Sequence, residues 1–226
     1  MNRRAFVGTG LAVAGAGVLG ATDLVGQGRG RRPQSSGDKI LDEIGRQFDT
    51  VTREAQNPRP GTWQRGSSAF VMLAAWAETN DIDGRFQRVV RQRGQGNLAF
   101  QMSQHRFDLD LKAVGVTLPV PVGTAAEFEN AIDTLTTRGV AHAFREAAQV
   151  LELAEREGKG RIGLARVRQQ IPPDEFARIC GRYHEQLLLA QASMVFFCII
   201  NAFLCGVMGA QTIAAQLYAY YAFGCT

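Results

Sequence analysis

The chain of 226 residues lacks the short motifs that most readily identify an enzyme. It has no GxSxG nucleophile elbow, no P-loop and no glycine-rich dinucleotide fingerprint placed after a strand. Its four cysteines form no CxxC pair, which excludes the signature of a thioredoxin-type redox centre or a zinc ribbon. The sequence therefore predicts no cofactor and no enzymatic activity.

The chain also lacks the alternation of apolar and polar residues that marks β-strands, so we expect an all-α protein. Hydrophobic residues at 46% and charged residues at 20% lie near globular averages and exclude a wholly disordered chain. The net charge of +4 arises entirely before Gly37, where five arginines face the single acid Asp23. The remainder is balanced, and the sequence therefore predicts no nucleic-acid partner.

No acidic, basic or histidine side chain follows Glu185. The stretch Leu187–Ala210 is long enough to span a bilayer, yet it contains the polar residues Gln191, Ser193 and Asn201. Three interpretations stay open: a central helix wrapped by the amphipathic helices upstream, an anchor in membrane lipid, and a peptide released from the chain. The polar residues favour the first, because segments that face lipid rarely carry so many.

The first residues have the layout of an export signal. Asn2-Arg3-Arg4-Ala5-Phe6-Val7 leads into an uncharged stretch, rich in glycine and alanine, that ends in small residues at Gly20 and Ala21. This pattern resembles a twin-arginine (Tat) signal peptide, with Gly8 where that family often has lysine. The stretch Ala5–Ala21 is shorter than the ~20 residues that a spanning helix needs, which favours a cleaved signal over a retained anchor.

The resemblance implies that the Tat translocase recognises Arg3, Arg4 and Phe6 and that signal peptidase removes residues 1–21. It further implies export of folded protein to the periplasm, the cell envelope or the medium. Residues 22–37, rich in glycine, glutamine, serine and arginine, predict a flexible basic linker. We expect an amphipathic helical domain over residues 38–170 and a hydrophobic, cysteine-containing helical region over residues 171–226.

Apolar residues of the middle region recur at intervals of three and four, which predicts a bundle of helices. The predicted helices are Ile40–Val51, Ser67–Thr79, a short basic helix after Gly84, the segment between Thr124 and Gly139, Val140–Glu157, and a long helix from Pro172–Asp174 onward. Thr124 and Glu127 have the spacing of a capping box. We interpret the arginine row of the short basic helix as a solvated face. The last region is predicted to be a long hydrophobic helix or a helical hairpin.

The four cysteines are predicted to form disulfides, since an even number is expected in a protein exported to an oxidising compartment. They are Cys180, Cys198, Cys205 and Cys225. The pairs 180/225 and 198/205 share a midpoint near residue 202, so nested bridges fit an antiparallel hairpin that turns near Asn201. The alternative is a continuous helix with free or cross-paired thiols, because Ile199–Leu204 lacks the glycine or proline of a turn.

Histidine is scarce, and the three histidines provide only weak candidates for metal ligands. These candidates are His105, Asp108, Asp110, His142, Glu146 and His184. None fits a closed metal-binding motif, and the spacing of His142 and Glu146 is that of an ordinary ion pair on one helix face.

The sequence thus predicts an exported helical protein of the cell envelope without enzymatic activity, in which the C-terminal region provides any membrane association. Two alternatives remain. One is the precursor of a membrane-active, bacteriocin-like peptide cut free from about Ile171 onward, with Glu157–Arg161 as the processing site. The other is a small metal-dependent exported enzyme that uses the histidine clusters.

Overall fold

The structure is a computed structural model that describes residues 38–54, 58–104, 123–157, 171–200 and Cys225. Within these ranges the chain forms helices and no strand, so the predicted all-α class is confirmed. The helices are α1 (Lys39–Glu54), α2 (Thr62–Thr79), α3 (Ile82–Arg93), α4 (Gln95–Ser103), α5 (Ala125–Arg138), α6 (Val140–Glu157) and α7 (Pro173–Ile200). The predicted signal peptide, with Arg3, Arg4 and Phe6, and the predicted linker lie outside the described residues.

Local signals set both ends of α5. The Thr124 hydroxyl accepts the backbone N–H of Glu127 at 3.3 Å, and the Glu127 carboxylate accepts the N–H of Thr124 at 2.8 Å. The predicted capping box is therefore present. Gly139, at a φ of 95°, ends the helix, and its N–H donates to the carbonyl of Leu135. Only glycine adopts this φ without strain, so α6 can begin immediately afterwards at Val140.

The N-termini of two other helices are capped by carboxylates from distant parts of the chain. Glu155 of α6 accepts the backbone N–H groups of Gly61 at 2.5 Å and Trp63 at 2.9 Å, at the start of α2. Asp83 of α3 accepts the N–H of Val140 at 2.6 Å, at the start of α6. Each carboxylate satisfies donors that a helix leaves unpaired at its N-terminus. These bonds fix α2 to α6 and α6 to α3.

The first of these junctions extends into a polar network. The Thr62 hydroxyl donates to Glu54 at 2.8 Å, and the Arg65 guanidinium forms an ion pair with the same carboxylate. These two interactions, the Thr62 bond first, lower the pKa of Glu54 below its usual value of 4.5. Ser67 donates to Glu152 of α6 at 3.0 Å. The end of α1, the start of α2 and the end of α6 are thereby joined by ionised and hydrogen-bonded groups.

The core lies between α2 and α6, which pack closely along their lengths. A Cβ on Gly66 of α2 would lie 2.7 Å from a methyl carbon of Leu151, so this close approach depends on a glycine. Helix α1 covers α2, while α5, α6 and the shorter α4 contact α7. The arrangement places the C-terminal helix against the apolar faces of the helices that precede it.

Candidate functional site

The C-terminal helix α7 changes character along its length. Its first turns alternate exposed residues such as Asp174 and Arg178 with the buried Ile179 and Tyr183. From Leu189 to Phe197 every residue is buried. A helix that is buried on all faces is a core helix, not an amphipathic surface helix. The predicted central helix wrapped by the upstream helices is therefore what the described part of α7 forms.

Aromatic side chains from five helices connect around this buried half. Phe196 packs edge-on against Phe86 of α3, with ring centroids 5.0 Å apart, and Phe197 stacks on Phe144 of α6 at 6.1 Å. Phe144 lies 6.3 Å from Phe70 of α2, which packs edge-on against Phe48 of α1 at 4.9 Å. Such pairs add ~0.5–1.5 kcal/mol each beyond the apolar area that they bury.

Four polar side chains of α7 are buried in the bundle: Tyr183, Gln186, Gln191 and Ser193. The Tyr183 hydroxyl donates to the carbonyl of Val150 at 3.3 Å, and burial raises the pKa of this phenol. The Gln186 amide donates to Glu146 of α6 at 3.2 Å. Gln191 and Ser193 are almost fully buried. The bonds of Tyr183 and Gln186 show how a helix with polar groups can serve as a core element, because their polar atoms bind other helices of the protein.

A small cavity lies between α7 and α6. Its volume is about 10 Å³, and its lining includes Phe70, Phe144, Gln186 and Ser193. Within the described residues the Ser193 hydroxyl has no hydrogen-bond partner. A cavity of this size holds about one water molecule. It is too small to admit an organic substrate.

By length and hydropathy, α7 is also the one described helix that could cross a membrane. However, 67% of its most apolar window is buried against the rest of the protein. A core helix and a membrane helix share the same composition, so this match does not place α7 in lipid. Residues 201–210, the remainder of the predicted span, lie outside the described residues.

A disulfide joins the second turn of α7 to the end of the chain. Cys180 and Cys225 are bonded, with their Cα atoms 5.4 Å apart, and Cys225 is buried. This bridge is the outer one of the predicted nested pairs. It rules out the cross-paired arrangements, in which Cys180 joins Cys205 or Cys198 joins Cys225. Cys198 is also disulfide-bonded, and no described cysteine is free, which removes the alternative with free thiols. Cys205 and the predicted hairpin turn lie outside the described residues.

Two of the three histidine candidates lie in the described ranges, and each contacts a glutamate. His142 lies 3.4 Å from Glu146, the expected pair on one helix face, and Arg138 and Gln186 approach the same carboxylate. His184 of α7 lies 3.5 Å from Glu127, the capping residue of α5. In the part of the chain that the structure describes, no three potential ligands cluster around a common point.

The third candidate, His105 with Asp108 and Asp110, lies outside the described residues. Sequence reasoning missed the partners of Glu146 and Glu127, because Gln186 and His184 stand 40 and 57 residues away from them. The spacing along one helix predicts pairs within that helix only.

The chain matches no protein-family model, no curated protein and no solved structure, so its function has to be argued from its own residues.

Proposed function

We propose that this chain is an exported, disulfide-stabilised helical protein of the cell envelope that acts through binding and not through catalysis. The bridge between Cys180 and Cys225 carries the proposal. Disulfides form and persist in oxidising compartments and are rare where glutathione and thioredoxin keep thiols reduced. The pattern Arg3-Arg4-Ala5-Phe6 provides the matching route out of the cytoplasm.

The placement of α7 supports the same proposal. Its apolar half is covered by the aromatic and aliphatic side chains of the helices upstream. A chain that shelters its most hydrophobic segment is compatible with folding before export, as the resemblance to Tat substrates implies. The cavity beside α7 provides no room for a substrate. The proposed binding uses the outer surface of the bundle.

The test follows the location and the thiol state of the protein in the same cells. Full-length protein is expressed in a Tat-competent bacterium, and fractions are treated with a maleimide reagent that adds mass to free thiols. We expect wild-type protein outside the cytoplasm, at the mass of the cleaved chain and with no reactive thiol. The double variant Arg3→Lys/Arg4→Lys should remain in the cytoplasm at precursor mass, with thiols that react.

The linker provides a matched control. Arg31→Lys with Arg32→Lys makes the same chemical change outside the signal and should leave export unchanged. Export of the Arg3→Lys/Arg4→Lys variant at the wild-type level would refute the Tat route. Wild-type protein found in the cytoplasm with free thiols would refute the whole proposal.

A released C-terminal peptide is the second candidate function, and the position of the disulfide is compatible with it. Cys180 and Cys225 both lie beyond the predicted processing site at Glu157–Arg161. A peptide from about Ile171 onward would therefore keep its cross-link and would not be tied to the remainder of the chain. The intact mass of the secreted material separates the two: we expect the whole mature chain, whereas a product of a few kDa would establish the precursor function.

A further inference from the structure

One surface helix of the bundle carries an excess of positive charge. Four arginines lie in α3, and no aspartate or glutamate occurs between Gly84 and Gln104. They are Arg85, Arg88, Arg91 and Arg93, and all four are exposed. Acids and bases are equal in number after Gly37, and this overall balance conceals the local excess.

The described fold uses only part of this charge. Arg85 and Arg91 have no ion-pair partner within the described residues, and Arg88 reaches only the exposed Asp81 at 3.2 Å. Asp83, the one acid within α3, is directed at the N-terminus of α6 instead. Arg91 lies in the last turn, where the helix dipole favours a cation, but Arg85 lies in the first turn, where the dipole opposes one. Stability of the helix therefore does not explain Arg85.

An exposed aromatic side chain lies on α4, the helix that follows α3. Phe100 of α4 is 60% exposed, the highest value among the large hydrophobic residues of the described chain. Leu98 and Met102 direct the buried side of α4 into the core, so Phe100 faces outward. Arg93 donates to Gln101, the next residue, at 3.3 Å, which joins the end of α3 to this side of α4. Arg85, Arg88 and Arg91 lie within about 120° of one another around α3, and we call these three arginines with Phe100 the arginine face.

We propose that the arginine face binds the surface of a membrane that contains anionic phospholipid, with the guanidinium groups on headgroup phosphates and Phe100 inserted below them. Guanidinium groups pair with phosphate oxygens in a bidentate manner, and a single aromatic ring among cations suits the boundary between headgroups and acyl chains. The choice of lipid over nucleic acid rests on the proposed function, since an exported protein meets membrane phosphate and not nucleic acid.

The test uses the purified, oxidised mature chain and sedimentation with vesicles. One set contains phosphatidylcholine and phosphatidylglycerol in a ratio of three to one, and the other contains phosphatidylcholine alone. We expect binding to the anionic set only, weakened by salt. Arg85→Gln with Arg91→Gln should weaken it about 30-fold, since each basic residue at an anionic surface contributes about fivefold. Phe100→Ala should weaken it about tenfold through the lost burial of the ring.

Matched variants separate this face from net charge and from general hydrophobicity. Arg46→Gln with Arg178→Gln removes the same charge from exposed sites on α1 and α7. Val71→Ala removes an apolar side chain that is 51% exposed on α2. Both controls should bind as the wild type does.

Three results would overturn the proposal: no binding to the anionic vesicles, equal losses in the test and control variants, or tighter binding to a single-stranded oligonucleotide than to the vesicles. Because the assay uses purified protein, its outcome does not depend on export. A failure here is therefore distinct from a failure of the fractionation experiment.

Discussion

Removal of the bridge between Cys180 and Cys225 is expected to destabilise the mature protein substantially. The bridge closes a loop with a sequence separation of 45 residues. In the chain-entropy model a loop of this length restricts the unfolded state by about 4 kcal/mol. This is a large share of the ~5–15 kcal/mol that stabilises an ordinary domain. Cys180→Ala with Cys225→Ala should lower the free energy of unfolding by up to this amount.

The measurement is urea unfolding of the oxidised mature protein, followed by far-ultraviolet circular dichroism. The matched control is the predicted inner bridge, removed by Cys198→Ala with Cys205→Ala. That loop has a separation of seven residues, for which the same model gives about 2 kcal/mol. Peptide mapping without reductant should recover these two bridges and no others.

Which of the two bridges contributes more to the free energy of unfolding is a sharper test than the size of either contribution. A loss for the outer pair that is no greater than the loss for the inner pair would refute the argument from loop length. A loss below about 1 kcal/mol for the outer pair would contradict the chain-entropy value of about 4 kcal/mol.

Three further predictions concern the core, a cap and pH. Phe196→Ala should cost about 3–5 kcal/mol of unfolding free energy, because Phe196 is fully buried, whereas Phe100→Ala at an exposed site should stay within ~0.5 kcal/mol in the same urea titration. Asp83→Ala should lower the free energy of unfolding by about 1 kcal/mol, because it removes the cap of α6. Its control is Asp133→Ala, at an exposed site inside α5, and equal losses for the two variants would contradict a capping role. Because the pKa of Glu54 is lowered in the folded protein, its contribution to stability is complete above pH 4.5 and is lost as the pH falls through the lowered value. Glu54→Gln should therefore flatten the decline of unfolding free energy below pH 4.5. An unchanged slope would count against this prediction.

Helix ends with local signals were predictable from the sequence. The capping box of Thr124 and Glu127, the stop at Gly139 and the start of α7 at Pro173 all appear where the residues indicate. Each depends on groups within four residues of one another or on the fixed φ of proline, and such relations can be read along the chain.

Helix ends that depend on distant residues were not predictable. Helix α2 begins at Thr62, five residues before the expected Ser67, because Glu155 supplies the cap from α6. Helix α3 begins at Ile82, so Gly84, expected before the helix, lies within it. The sequence near Thr62 does not indicate that Glu155, 92 residues after Trp63, binds the N-terminus of this helix.

The environment of α7 was only partly predictable for a related reason. Length and composition allow both a core helix and a membrane helix, and the choice depends on whether other helices cover the apolar residues. Phe86 and Phe144 cover the apolar residues of α7, but the sequence around these two residues does not indicate which side chains they contact. The outer disulfide was one of the alternatives that the sequence left open, because the nested midpoints fit a hairpin whereas the lack of glycine or proline in Ile199–Leu204 fits a continuous helix.

The position of α7 after the helices that it packs against has a consequence for biosynthesis. The contact between Phe86 and Phe196 cannot form until Phe196 has been translated, and the cap at Gly61 requires Glu155 in the same way. The core therefore stays incomplete until α7 has left the ribosome. Nascent chains should stay open to chaperones and proteases until then, and premature stop codons upstream of Phe196 should yield products that the cell degrades.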